Sequence, residues 1–179
     1  MIATIILATM LMQKIPGKEQ TMALDYNYKV EAFCDEYGLA YDDLDHPNSI
    51  LCADGSRAFV SDKEIELLEQ VVAAEARGES IICQEAVATV ILNRWQEGSY
   101  GETLSDVMLA SGQFAAPYQG EISMSVHLAV KNALVYYGTY CQDIPSEVLY
   151  FRSYHYHDFG VPYRTIGNLY FSCREGVII

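Results

Sequence analysis

Positive charge is scarce in this sequence. Eleven Lys and Arg residues stand against twenty-four Asp and Glu, a net charge of −13 over 179 residues. That balance argues against nucleic acid as a partner, because binding there depends on a positive patch. An anionic membrane surface is disfavoured by the same sign. No apolar run approaches the roughly 20 residues that cross a bilayer, so no stable membrane span is expected. The five cysteines (Cys34, Cys52, Cys83, Cys141 and Cys173) include no CxxC pair. A zinc knuckle or thioredoxin-like site therefore has no support. GxSxG, P-loop, GxGxxG and HExxH patterns are missing as well, along with internal repeats and low-complexity segments. Nothing in the chain calls for a cofactor or a resident metal.

What is present is an ordinary globular balance, 51% hydrophobic and 20% charged, on a chain long enough for one full domain. Fourteen tyrosines are less ordinary. Their flat apolar face and polar edge suit sugar rings, and they equally fill cores. The opening stretch from Ile2 to Met12 has the length of a signal-peptide core, yet no Lys or Arg precedes it and no A-x-A site follows. It reads equally as a weak export signal and as a merely apolar N-terminus. We divide the chain into this apolar segment (1–22), an N-terminal elaboration (23–60) and a main domain (61–179). The elaboration is expected to hold a short helix over 27–37 and a hairpin around Asp54-Gly55, in "ILCADGSRAFV". The acidic residues Asp42, Asp43 and Asp45 fit a solvated loop.

The main domain opens on "SDKE", a Ser N-cap three residues before Glu64, which is the capping-box pattern. The helix that follows puts Ile65, Leu68, Val72 and Glu75 on one face, and Gly78 is expected to end it. "CQEAVATVILNRW" is apolar on nearly all sides until Asn93 and Arg94, the pattern of an enclosed central helix. A short Ser105-capped helix follows, then a longer one carrying Val126, Ala129, Val130, Ala133, Leu134 and Tyr137 before Gly138. The last third, with "VLYFRS" and "NLYFS", reads as two strands joined by a loop holding Gly160, Pro162 and Gly167. The expected class is α+β, mainly helical with a small β element.

Glu75 is the chemical question. It is the last member of an apolar stripe, where burial would disfavour its ionised form. A carboxyl still protonated near neutral pH is what general acid attack on a glycosidic bond requires. The bland alternative is an ion pair with Arg77 or Arg94, or a place at the frayed helix end in water. No second carboxylate is nominated for hydrolysis: Glu79 lies beyond the helix-ending glycine, and Asp106 fits a helix first turn. The rival constellation, His155, His157 and Asp158 in "HYHD", has the H-x-H form of a metal pair but none of the usual accompanying spacing.

Three ordered blocks give the chain a resemblance. "AEARGE" at 74–79, with "QEAVATVILNR" at 84–94, resembles the signature of cell-wall hydrolases of the spore cortex-lytic (SleB/CwlJ) type. "GQF" at 112–114 and "YHDFGVPYRTIGNLYFS" at 156–172 resemble that family's later elements in the same order. The resemblance implies a lysozyme-like, lytic-transglycosylase-like domain acting on bacterial peptidoglycan glycan strands, secreted or in the cell envelope, and spore- or phage-associated. It implies Glu75 as the catalytic acid, and Gln113 and Phe114, with Phe151 and His157, lining a glycan groove. The outcome could be 1,6-anhydro products or hydrolysis by a muramidase; a wall-binding module without turnover is the reading from another class. One departure stands out: the family often has His after Gly-Asn, where this chain has Leu169.

Overall fold

The computed structural model describes residues 48–139 and 142–176. The apolar segment 1–22, the expected helix over 27–37, and Asp42, Asp43 and Asp45 lie outside the described residues. Two short strands come first, β1 (Ser49–Leu51) and β2 (Arg57–Phe59), paired antiparallel as the expected hairpin around Asp54-Gly55. Ile50 and Val60 are fully buried in the same core as the helices. The compact unit that contains them runs from Pro47. The division drawn at Ser61 therefore falls inside a unit held by one core.

Four helices follow: α1 (Asp62–Ala76), α2 (Ile81–Glu97), α3 (Leu104–Leu109) and α4 (Met124–Tyr136). The capping box at α1 is present, with Ser61 and Glu64 exchanging backbone and side-chain bonds. At α3 the cap is Thr103 rather than Ser105, and Asp106 completes its box from the first turn. Leu104 must be inside the helix to reach the core, which moves the start one residue ahead of Ser105.

α2 is the enclosed helix. Every side chain from Ala86 to Arg94 is buried, and α1, α3, α4 and the C-terminal sheet all pack against it. Cys83 is a small core residue at its start, where its Sγ meets the Ile166 carbonyl at 3.2 Å. Burial, reinforced by Glu79, pushes the Cys83 thiol up to about 12.

The C-terminal sheet has three strands rather than two: β3 (Val148–Ser153), β4 (Val161–Ile166) and β5 (Leu169–Cys173), in the order β3-β5-β4, all antiparallel. Pro162 in β4 hides the extra strand from a sequence reading. On an edge strand a missing N–H costs no ladder bond, and β4 is an edge. Leu169 is 3% exposed and belongs to the core.

The end of α1 is not made by Gly78. Arg77 caps it in ordinary right-handed geometry, and the free carbonyls are met by Gln84. Its buried Nε2 is shared among the carbonyls of Ala76 (3.1 Å), Arg77 (3.4 Å) and Glu79 (3.2 Å). Helix ends leave such carbonyls without intrahelical partners, and buried ones need another donor. Gln84→Leu keeps the volume and removes that donor. Denaturant unfolding of this variant should show a loss of about 1–3 kcal/mol, the usual cost of stranding buried polar groups.

Candidate active site

The last turn of α1 delivers Glu75 to the surface beside the segment that follows α3. Its Oε1 accepts the Ala115 N–H at 2.6 Å, and three residues on the Tyr118 N–H bonds the Gln70 carbonyl at 3.0 Å. The 115–118 segment thus runs along α1 and is tied to it twice. Glu75 is half-buried, not enclosed. The dry apolar setting expected from the helix stripe is absent, because the stripe reaches the surface in the last turn of α1, where a backbone N–H of this segment meets the carboxylate. Nor does the ion-pair alternative hold: among the described residues no Arg pairs with Glu75. Arg77 lies over the Tyr118 ring at 4.5 Å, and Arg94 is engaged elsewhere.

Arg94 gathers the rest. It is 6% exposed in the last turn of α2. Its Nε donates to the Leu149 carbonyl at 2.7 Å and its Nη1 to Gln113 Oε1 at 3.2 Å. The guanidinium stacks within 4.8 Å of the Phe114 centroid, 5.2 Å of Tyr100 and 6.0 Å of Tyr150. Burial pushes the guanidinium down from its ordinary value, opposed by Tyr100, Tyr150 and Glu75. Gly112, with φ 73°, turns the chain out of α3 and presents Gln113 and Phe114; a side chain at that φ would be strained.

The four expected groove residues fall in one connected region. Gln113 and Phe114 sit on Arg94. Phe151 stacks on Phe114 with centroids 6.2 Å apart and backs onto Phe171 at 6.0 Å. His157 joins through Tyr150 (6.1 Å) and Phe159 (4.7 Å). Tyr100 and Tyr150 share a hydroxyl bond at 3.3 Å, and burial with that bond pushes Tyr100 up to about 12. In the sequence Arg94 belongs to the signature block and is a possible partner of Glu75, and Phe159 lies in the last block, but neither is given a site role; Tyr100 carries no signal and Tyr150 only that of a strand. The one clue was a cation closing an otherwise apolar helix.

Glu79 has a different task. Its carboxylate accepts the Asn168 backbone N–H at 3.2 Å and the Asn168 Nδ2–H at 2.8 Å. Gly167, in the β4–β5 turn with φ 58°, leaves room for it, since a Cβ there would stand 2.1 Å from Glu79 Oε2. The second carboxylate of the motif therefore fastens the sheet's turn to the end of α1. His155 bonds the Tyr156 carbonyl at 3.1 Å and His157 is packed among rings. Among the described residues no three His, Cys, Asp or Glu side chains gather as a metal set, and no helix is long and apolar enough to cross a membrane.

With this geometry in place, the comparisons are specific. The family model for cell wall hydrolases matches residues 78–172. The spore cortex-lytic enzyme of Halalkalibacterium halodurans is 37% identical over 78 residues, 44% of this chain and 24% of that protein. The spore cortex-lytic enzyme of Bacillus cereus is 36% identical over 75 residues, 42% of this chain and 29% of that protein. The chain thus spans well under half the length of these curated relatives. The crystal structure of the catalytic domain of the Bacillus cereus SleB protein superposes with a TM-score of 0.53 at 26% identity, covering 63% of this chain and 91% of that one.

His157 provides a pH handle. Burial, then the nearby Arg152, Arg94 and His155, hold its pKa below 6.5, with Asp158 opposing, and its buried Nδ1 has no partner. A depressed folded-state pKa means the unfolded chain binds the proton first. Stability from this group is therefore fully present above about 6.5, the unfolded value, and is lost as pH falls through the lower folded value. Thermal unfolding followed from pH 7.5 to pH 5 should show a decline that His157→Phe makes shallower. Equal slopes for both proteins would remove His157 from the account.

Proposed function

This chain belongs to the cell wall hydrolase family, and from that premise we propose that it is a peptidoglycan-cleaving glycosidase of the lytic transglycosylase type, working in the cell envelope. Bacterial glycan strands are its substrate and Glu75 is its acid and base. The observation that carries the reading is the pairing of an accessible carboxylate, steered by a backbone N–H, with an adjoining wall of aromatic rings. Aromatic faces stack on sugar rings while their polar edges bond hydroxyls, and Gln113, Phe114, Phe151 and His157 supply such a lining here.

The chemistry needs one carboxyl used twice. Glu75 in its acid form gives its proton to the oxygen joining N-acetylmuramic acid to N-acetylglucosamine, and the C1–O bond of the muramic residue breaks. The resulting carboxylate faces the oxocarbenium-like centre. It then takes the proton of the muramic C6 hydroxyl as that oxygen bonds to C1. A 1,6-anhydro end forms, Glu75 regains its proton, and no water is consumed. Support for a single carboxylate comes from Glu79, whose two oxygens are occupied by Asn168. A hydrolytic enzyme would need a second carboxylate placed either as nucleophile or to activate water.

Purified peptidoglycan digested by the wild type should yield anhydro-muropeptides by mass spectrometry. Glu75→Gln should lower the rate by roughly 10²-fold or more, in line with loss of general acid catalysis, and should still sediment with cell walls. Reducing-end products would replace the transglycosylase assignment with hydrolysis. Undiminished cleavage by Glu75→Gln would remove Glu75 from the chemistry.

A further inference from the structure

A guanidinium in the core is costly unless it is well bonded. Arg94 is 6% exposed; Glu75 acts on it only at a distance, and no ion pair to a carboxylate holds it among the described residues. Its bonds go instead to neutral acceptors in two separate parts of the chain: the Leu149 carbonyl in β3 and the Gln113 side chain after α3. The same group stacks on Phe114. The next N–H along, that of Ala115, is the one that bonds Glu75 at 2.6 Å. Beyond these contacts the segment is anchored by the Gln113 N–H on the Ala110 carbonyl and the Tyr118 N–H on the Gln70 carbonyl. Between those anchors it meets the domain through Arg94, Phe151 and Glu75.

We propose that Arg94 is a positioning residue: it fixes Gln113 and Phe114 against β3, and so sets the Ala115 N–H and the direction in which the Glu75 carboxyl faces the substrate. The catalytic consequence rests on Glu75 being the acid and base; the geometry of the loop does not. The requirement is for a guanidinium in particular. Its planar fork donates in two directions while its faces remain free to stack. A lysine in its place has a single ammonium and no flat face. A methionine fills much of the space and donates nothing.

The Ala115 amide is a direct probe. A short N–H bond to a carboxylate moves the amide proton resonance downfield and slows its exchange. In ¹⁵N-labelled protein, Arg94→Met should shift that resonance towards its free position and speed its exchange at least tenfold, while the α2 amides keep their positions. Displacing a catalytic group by about 1 Å can cost on the order of 10²-fold in rate, so peptidoglycan cleavage per folded molecule should drop by about that much. Arg94→Lys should not restore it. Gln113→Met, which leaves the bond to Leu149 in place, should move the Ala115 resonance the same way by a smaller amount. The double variant should be no slower than Arg94→Met alone.

An Ala115 resonance unchanged in Arg94→Met would overturn the proposal, as would losses that multiply in the double variant. Should Arg94→Met not fold, Gln113→Met carries the test, and an unmoved Ala115 amide there overturns the proposal equally. Cleavage that survives in Glu75→Gln sinks the acid and base assignment, while the amide measurement still decides whether Arg94 holds the loop. The two failures are therefore distinguishable.

Discussion

Two polar side chains at the end of an apolar helix set the terms for this domain. Asn93 and Arg94 are 1% and 6% exposed, and neither can be left without partners at that depth. Asn93 Nδ2 therefore donates to the carbonyls of Pro145 and Val148 at 2.8 and 3.0 Å, and Arg94 Nε to that of Leu149 at 2.7 Å. These bonds dock the entry of β3 onto α2. With β3 fixed, β5 and β4 follow by strand pairing, and Tyr150 and Phe151 reach the ring cluster around Arg94 and Phe114 from the sheet. A hydrophobic contact would supply similar attraction without direction. Hydrogen bonds at such depth are directional and costly to break, so they specify which part of the sheet faces the helix.

The other end of α2 performs the matching task for α1. Gln84 holds the carbonyls where α1 stops, and Glu79, on the connecting turn, grips Asn168 between β4 and β5. The two carboxylates of "AEARGE" thus differ in how far their oxygens are committed. Glu79 is committed on both oxygens to one asparagine and closes the fold. Glu75 accepts one backbone N–H and keeps an accessible face. The helix carrying the proposed acid is pinned just beyond its final turn, which is where imprecision would otherwise concentrate, since helix ends fray.

The helical part of this arrangement was legible in the sequence because periodicity and capping are local. Ser61 with Glu64, the apolar run of α2 and the stripe of α4 each declare themselves within a dozen or so residues. The Asp54-Gly55 hairpin was legible for the same reason, but not its membership of the core, which depends on Ile50 meeting helices far along the chain. β4 escaped because Pro162 argues against a strand unless one knows the strand is an edge. Ser105 is a plausible cap in sequence, and only the burial of Leu104 moves the cap to Thr103. Glu75 and the residues proposed to line its groove are nominated by resemblance and, for Glu75, by its place at the end of an apolar stripe. The reason offered for Glu75, an enclosed apolar setting, was wrong in its physics: the segment after α3 meets the carboxylate with a backbone donor. The packing of Tyr100, Phe114 and Tyr150 around Arg94 is not legible in sequence, since it joins separate stretches with no spacing to relate them.

The character of that cluster bears on the choice between the sugar's own hydroxyl and water as nucleophile. Both would attack the same carbon, and water is far more abundant. An internal hydroxyl prevails when it is already held at the reacting carbon and when the surrounding surface displaces solvent. Phe114, next to the Ala115 N–H that bonds Glu75, leads a cluster of rings with Phe151, Tyr150 and Phe159. A ring can cover a sugar face but cannot take a proton from water. Glu79, the other carboxylate of the motif, is engaged with Asn168 on both oxygens. In the proposed reaction the lining therefore does more than bind. It covers the sugar faces against solvent and favours the muramic C6 hydroxyl, brought in by the substrate itself, as the group that Glu75 can deprotonate.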